Sequence, residues 1–152
     1  MSLAYVASRG VARLEKPTFG YSNLGVGLLA DMLTYLEAQL HPDKLPGAVR
    51  ATPEGKTLAA ALAALHVSHG DAGGGMHIGL NWMLVDESGM YWHNGATGGY
   101  SAFAMFNPEK DIAVVVLSNT STGERSFVDD LARHIAQRLT GKPAVSLGPP
   151  LQ

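Results

Sequence analysis

The stretch YWHNGATGGYSAF, from Tyr91 to Phe103, predicts a strand, a glycine-rich turn and the start of a second strand. Aromatic and small residues fill the strand positions, and Gly98-Gly99 supplies the φ freedom that a tight reversal needs. A glycine at the end of the first strand, Gly95, lets another backbone or a ligand come close. The stretch therefore predicts a hairpin that carries a candidate site at His93-Asn94-Gly95.

The same alternation of apolar segments and short turns continues on both sides of this hairpin. Four strands are predicted, over Ile78–Val85, Gly89–Gly95, Gly99–Phe106 and Asp111–Ser118. The connections between them are short, which favours antiparallel neighbours. The last strand is continuously apolar from Ile112 to Leu117, as expected of a strand covered on both faces.

Helical spacing of apolar residues precedes and follows these strands. One helix is predicted from Leu24, capped by Ser22 or Asn23 and ending near His41-Pro42, and a second from Thr57 to Ser68. Proline- and glycine-rich residues 42–55 are expected to form a connector, and 70–75 a flexible loop. A last helix follows the capping box Ser121-x-x-Glu124 and ends at Gly141 and Pro143. Its apolar face is predicted to consist of Phe127, Leu131, Ile135 and Leu139.

These elements predict an α+β fold, with an antiparallel sheet of about four strands, helices before it and a C-terminal helix packed on it. The expected domain comprises residues 1–141, and residues 142–152 are expected to form a loose tail.

Composition excludes several classes of function. The 152 residues are 46% hydrophobic and 16% charged with a net charge of −2, and this pattern lacks the basic footprint of a nucleic-acid-binding protein. The absence of cysteine removes disulfides, thiol catalysis and zinc-thiolate sites. No apolar run has the length of a membrane span, and the first residues lack a signal-peptide pattern.

Two short motifs carry candidate chemistry. Tyr21-Ser22-Asn23 places a phenol, a hydroxyl and an amide at a helix start, where the phenol could carry a proton. The alternative is a simple helix cap beside a half-buried ring. At His93-Asn94-Gly95 an imidazole could lie over a pocket while the Ala96 N–H stabilises an oxyanion. The alternative there is a strand end with an exposed histidine.

A third cluster, His66-x-x-His69-x-Asp71 with His77 downstream, is compatible with a metal site. Histidines three residues apart share a helix face, but this cluster runs into a glycine-rich loop, and its spacing fits no standard zinc motif. A zinc hydrolase built on these residues is kept as an alternative, beside a solvated helix end.

Taken together, FGYSNLG from Phe19 to Gly25 and HNGATGGY from His93 to Tyr100 resemble motifs of the serine β-lactamase and penicillin-binding-protein superfamily. The similarity is greatest to the group of class C β-lactamases, D-aminopeptidases and family VIII esterases. Asn107–Ile112 and Leu117–Asn119 resemble the last two strands of that family.

The resemblance implies a truncated β-lactamase/transpeptidase-like fold and acyl transfer from a β-lactam, D-amino-acid peptide or ester. It implies that Tyr21 relays a proton and that Asn23 holds the substrate amide. The Ala96 N–H would contribute to the oxyanion site. The residues implied in substrate binding are His93, Asn94, Gly95 and Thr97. No cofactor or metal is implied, and the implied partner is a small-molecule substrate.

The chain departs from the family pattern in two ways. No serine is followed three residues later by lysine, so the nucleophile motif Ser-x-x-Lys is absent from these residues. The distance from Asn23 to the strands is also short for the family. The expectation is a C-terminal portion with an internal deletion and without efficient turnover. His93 in place of lysine makes peptidase or esterase activity of the parent nearly as well supported as β-lactam hydrolysis.

The non-enzymatic alternative is an α+β binding or assembly module. A truncated sheet would leave an open edge beside the Val- and Ile-rich strand, and open edges associate with partners. A homo-oligomer or a strand-exchanged assembly is therefore expected. Localisation is left open, because members of the resembling family are periplasmic, secreted or, among esterases, cytoplasmic.

Overall fold

The computed structural model describes residues 23–85, 87–97, 99–119 and 127–147, and for residues 23–26 it describes the backbone only. The helices and strands follow one another as α1 (Asn23–Leu40), a 3₁₀ turn (Pro42–Lys44), α2 (Gly47–Arg50), α3 (Pro53–Ala64), β1 (Gly70–Gly73), β2 (Met76–Ile78), β3 (Met83–Val85), β4 (Met90–Thr97), β5 (Tyr100–Asn107), β6 (Ile112–Ser118) and α4 (Phe127–Leu139). The α+β class is thereby confirmed. None of the helices within these ranges combines the length and the apolar character needed to cross a bilayer.

The sheet is antiparallel throughout and has the strand order β1-β2-β3-β4-β5-β6. It has six strands rather than about four, for two local reasons. The predicted strand Ile78–Val85 is divided by a tight turn, in which the Gly79 N–H donates to the Trp82 carbonyl at 2.8 Å. The predicted loop 70–75 is instead strand β1 and the turn into β2, because three glycines adopt the positive φ angles of that turn: Gly73, Gly74 and Gly75.

The first two helical predictions differ in how well they place the ends. Helix α1 ends at Leu40, as the following Pro42 predicts. Helix α3 begins at Pro53 rather than Thr57, because the Thr52 hydroxyl accepts a hydrogen bond from the Gly55 N–H at 2.9 Å and caps the helix. It ends at Ala64 rather than Ser68. The connector 42–55 contains the 3₁₀ turn and α2, and its last residues already belong to α3.

Alternating residues of the central strands build one core on each face of the sheet. Phe103 and Met105 of β5 face α4, where they pack against Val114 and the buried side of that helix. Ala104 and Phe106 face α1, where they pack with Leu36 and Trp82. The β4–β5 hairpin therefore lies between the two cores and is held from both sides.

Helix α4 presents to the sheet a face that overlaps only partly with the one predicted. Its buried residues are Val128, Ala132 and Ala136. Of the predicted residues, Ile135 is partly buried against this core, whereas Phe127 and Leu139 are 47% and 59% exposed. Alanines let the helix axis come close to the strands, so the small residues mark the contact. The predicted end at Gly141 is confirmed by its φ of 69° and by the Lys142 N–H, which donates to the Gln137 carbonyl. The capping box at Ser121 and Glu124 lies outside the described residues.

Candidate functional site

The hairpin predicted from Tyr91–Phe103 is present as β4 and β5. Its register runs without a bulge from Tyr91 opposite Phe106 to Thr97 opposite Tyr100. Gly99, between the last pair, has a φ of 87°, which explains why glycine is needed there. The candidate residues His93–Thr97 thus occupy the last five positions of β4, beside the turn.

The outer edge of this part of β4 has no strand partner among the described residues. The register between β3 and β4 includes Met90, Tyr91 and Trp92 and stops there. His93–Thr97 are all exposed, and within the described ranges they pair only with β5, on one side. A strand edge of this kind presents backbone N–H and C=O groups to which an extended amide or ester can hydrogen-bond.

His93 and Asn94 point to opposite faces of the sheet. His93 pairs with Ala104, which belongs to the core on the α1 side. Asn94 pairs with Phe103, on the α4 side, and its Nδ2 donates to Asp129 Oδ2 at 2.9 Å. The Asn94 amide is therefore bound to helix α4, and of the two side chains His93 is the one on the α1 face.

Asp129 was not among the site residues predicted from the sequence. It lies in the first turn of α4, where a carboxylate also interacts favourably with the helix N-terminus. Its other oxygen, Oδ1, is buried without a hydrogen-bond partner in the described part of the chain. The sequence carries only a weak signal for it, an acidic residue in a predicted helix 35 positions from Asn94.

Packing within the described residues does not explain why position 95 is a glycine. A Cβ built on it would have no heavy atom of the described residues within 4 Å, and its φ lies outside the left-handed region. Neither a crowded contact nor backbone geometry therefore requires glycine. The open space over Gly95 suits the close approach of a ligand to the strand.

Trp82 borders the site next to His93. Met83 pairs with Trp92 in an antiparallel register. Trp82 is the residue before Met83 and His93 is the residue after Trp92, so both lie on the same side of this pair. The Trp82 side chain is 2% exposed and makes an edge-to-face contact with Phe106 at 4.9 Å. Its Nε1 is buried and has no hydrogen-bond partner in the described ranges.

The Tyr21-x-Asn23 motif lies at the edge of the described residues. Tyr21 lies outside the described residues. Asn23 is the first residue of α1, and only its backbone is described. Their roles, like those of His93, Asn94, Gly95, Thr97 and the Ala96 N–H, remain predictions.

The histidine cluster does not form a metal site. His66 Nε2 lies 2.7 Å from Gln39 Oε1, and its ring contacts the Tyr91 and Phe106 rings at 4.8 and 5.1 Å. Asp71 Oδ1 accepts a hydrogen bond from the Gly73 N–H at 2.7 Å. Across the described ranges, no three histidine, aspartate or glutamate side chains are grouped to hold an ion. The zinc alternative built on His66, His69, Asp71 and His77 is therefore wrong.

His66 is instead part of the packing beneath β4. Burial lowers the pKa of His66, because the charged imidazolium is poorly solvated there. Burial and, second, the charge of Glu109 raise the pKa of the neighbouring Tyr91, which keeps that phenol protonated. Gln39 is fully buried, and its Nε2 has no partner among the described residues. These groups link α1 to the strand that carries His93.

Comparison with known proteins gives one family. A family model described as Beta-lactamase matches residues 4–138. The curated proteins contain no match to this chain.

Proposed function

This chain belongs to the β-lactamase family, and from that premise we propose that the edge of β4 at His93–Thr97 binds small acyl compounds without turning them over. The bound class is a β-lactam, a D-amino-acid peptide or an ester, the substrates implied by the resemblance. The observation that carries the proposal is the exposed strand edge with open space over Gly95.

His93 favours the less acidic members of that class. Lysine would supply a permanent positive charge for a substrate carboxylate, whereas histidine is a largely neutral residue type at pH 7. Asn94, the next residue, already donates its amide to the Asp129 carboxylate. Esters and amides without a carboxylate therefore suit this edge better than carboxylated β-lactams do.

The absence of turnover is proposed from the sequence of the chain itself. The family reaction joins a serine Oγ to the acyl carbon of the substrate, with a lysine three residues later assisting proton transfer. None of the 152 residues forms a Ser-x-x-Lys motif. The remaining family positions would then contact a bound ligand: Tyr21 at the proton-relay position, Asn23 at the amide-binding position and the Ala96 N–H at the oxyanion position. The chain would not form an acyl-enzyme by the family route.

Hydrolysis assays test this proposal directly. The purified chain is expected to hydrolyse neither nitrocefin nor p-nitrophenyl butyrate faster than buffer does, and Tyr21→Phe and the control Tyr5→Phe should behave identically. Amide resonances of His93–Thr97 should nevertheless shift when p-nitrophenyl butyrate is added. Turnover that Tyr21→Phe abolishes and Tyr5→Phe preserves would show that the chain has a working nucleophile.

We also propose an assembly role, because β6 ends the described sheet. Within the described ranges β6 is paired with β5 alone, and its segment Val114–Leu117 is apolar, with Leu117 38% exposed. Such an edge favours association with a second copy or with a strand from another chain. Sedimentation velocity should therefore show a species larger than a monomer, and a single monomer boundary at high concentration would contradict this role.

A further inference from the structure

We propose that Asp129 is a positioning residue for the outer edge of His93–Thr97: it holds Asn94 so that the outward backbone groups of this strand end are aligned before a ligand binds. The inference rests on the proposed binding at His93–Thr97. Asp129 is bound to a side chain on the α4 face of the sheet, opposite His93. It acts through Asn94 rather than by contact with the ligand.

The hairpin register determines which backbone groups face that edge. Thr97 and Tyr100 flank a turn of two residues, so they form a hydrogen-bonded pair, and such pairs alternate along an antiparallel ladder. Gly95, two positions before Thr97, therefore directs its N–H and C=O groups to β5. Asn94 and Ala96 direct theirs to the outer edge.

Asn94 is the first residue of β4 whose outward groups have no strand partner in the described ranges. The pairing with β3 ends at Trp92, two positions earlier. The Asn94 side chain points to the α4 face, because its cross-strand partner Phe103 packs in the core on that side. There its Nδ2 donates to Asp129 Oδ2 at 2.9 Å. The same residue thus presents its backbone to a ligand and its side chain to Asp129.

Helix α4 gives Asp129 a fixed position. The preceding Val128 is 1% exposed and packs in the same core as Phe103, the strand neighbour of Asn94. Asp129 is in the first turn of the helix, where its negative charge is favourable. A hydrogen bond to a carboxylate is shorter and stronger than one between neutral groups. The packed start of α4 therefore restrains the end of β4 through this bond.

This restraint should affect the affinity for a ligand. Within the described ranges β4 has a neighbouring strand on one side only beyond Trp92, so the bond to Asp129 adds a restraint that a second strand would otherwise supply. A ligand that binds the edge without this bond must also order it, and that cost reduces the affinity. Loss of the bond should weaken binding about fivefold, a change typical of ordering one further side chain on binding.

Titrations of the full chain with methyl hexanoate, followed by the amide resonances of His93–Thr97, measure the affinity. Asp129→Ala should bind this neutral ester about fivefold more weakly than the unmodified chain does. Asp129→Asn keeps a side-chain oxygen that can accept from Asn94 Nδ2, and its affinity should stay within about twofold of the unmodified chain.

Asp111→Ala is the matched control for lost stability. Asp111 lies in the β5–β6 turn, at the other end of β5 from the site. The substitution removes the 2.8 Å contact between the His41 imidazole and the Asp111 carboxylate, and it places alanine at a φ of 52°. It should therefore destabilise the fold and leave the affinity for methyl hexanoate unchanged.

Hydrogen exchange of two amides reports on the strand end without any ligand. By the alternation above, the Gly95 and Tyr91 N–H groups both face β5, but Tyr91 also lies within the β3–β4 register. In Asp129→Ala the exchange rate of Gly95 relative to that of Tyr91 should rise about fivefold, which corresponds to one lost hydrogen bond. In Asp129→Asn and Asp111→Ala this ratio should not change.

Each outcome has a distinct meaning. Unchanged affinity in Asp129→Ala, or an equal loss in Asp111→Ala, overturns the positioning role and leaves binding at β4 intact. Weak binding by Asp129→Asn would assign the effect to charge and overturn the role of the hydrogen bond. If methyl hexanoate shifts none of the His93–Thr97 resonances in the unmodified chain, the proposed function fails. The exchange ratio then still decides whether Asp129 orders the strand end, and an unchanged ratio in Asp129→Ala overturns it.

Discussion

Replacing Gly95 with alanine is expected to stabilise the protein and at the same time weaken ligand binding. Glycine in a strand costs about 0.5–1 kcal/mol relative to alanine, because its unfolded chain has more conformational freedom to lose. In the described part of the chain the new methyl group would meet no heavy atom within 4 Å, and no left-handed φ opposes it. The free energy of unfolding should therefore rise by about 0.5–1 kcal/mol.

The same methyl group would occupy space that a ligand needs. A ligand hydrogen-bonded to the edge of β4 would approach the backbone of Gly95 closely. Crowding of about 1 kcal/mol, at the lower end of what an extra methyl group costs in a packed contact, corresponds to roughly fivefold weaker binding. Urea unfolding followed by circular dichroism measures the stability, and titration with methyl hexanoate followed by amide resonances measures the affinity.

Gly79→Ala is the matched control for this variant. Its Cβ would lie 2.6 Å from the Leu65 carbonyl oxygen, a distance that forces the backbone to move. It should lose about 1–3 kcal/mol of stability, because the crowded atom is backbone rather than a flexible side-chain end. A destabilised Gly95→Ala would refute the reasoning from open space. A stabilised Gly95→Ala with unchanged affinity would show that the ligand does not approach Gly95.

Two further predictions concern side chains that hold β4 in place. Asp129→Ala should lower the free energy of unfolding by about 1 kcal/mol through loss of the Asn94 hydrogen bond, and Asn94→Ala added to it should cost little more; additive losses in the double-mutant cycle would contradict this pairing. The second prediction concerns pH. Burial holds the pKa of folded His66 below its unfolded value of 6.5, so the unfolded state binds the proton more readily. The free energy of unfolding should therefore fall as the pH drops through 6.5 and below. His66→Phe should reduce the difference in urea midpoint between pH 7.5 and pH 5, even though it leaves Gln39 without its partner; an unchanged difference would assign the acid sensitivity to other groups.

The central hairpin was predictable because its signals are local. Alternating aromatic and small residues, with two glycines at the turn, determine both strands and their register. The β1–β2 hairpin was not predictable in this way, because residues 70–75 have no apolar alternation and a glycine-rich segment is equally typical of a loop. Only pairing with β2, and through it with the rest of the sheet, makes that segment a strand.

The candidate site shows the same division between local and long-range information. The positions of His93 and Gly95 on an exposed strand end follow from the sequence. The link between Asn94 and Asp129 joins residues 35 positions apart, and no pattern in the sequence indicates it. The face of α4 was predicted only in part: Ile135 packs against the core, but the close approach of helix and sheet selects small residues such as Ala132 for the central contact.

The two tryptophans of the chain lie on opposite sides of the sheet and can report on it separately. Trp82 lies against Phe106 and Tyr35 on the α1 side, and Trp92 stacks on Phe103 on the α4 side, with ring centroids 5.6 Å apart. In a Trp92→Phe variant, tryptophan fluorescence therefore comes from one layer, and in Trp82→Phe from the other. If the two emission signals change at the same unfolding midpoint, the two layers form a single cooperative unit. If the midpoints differ, the lower one identifies the layer that unfolds first.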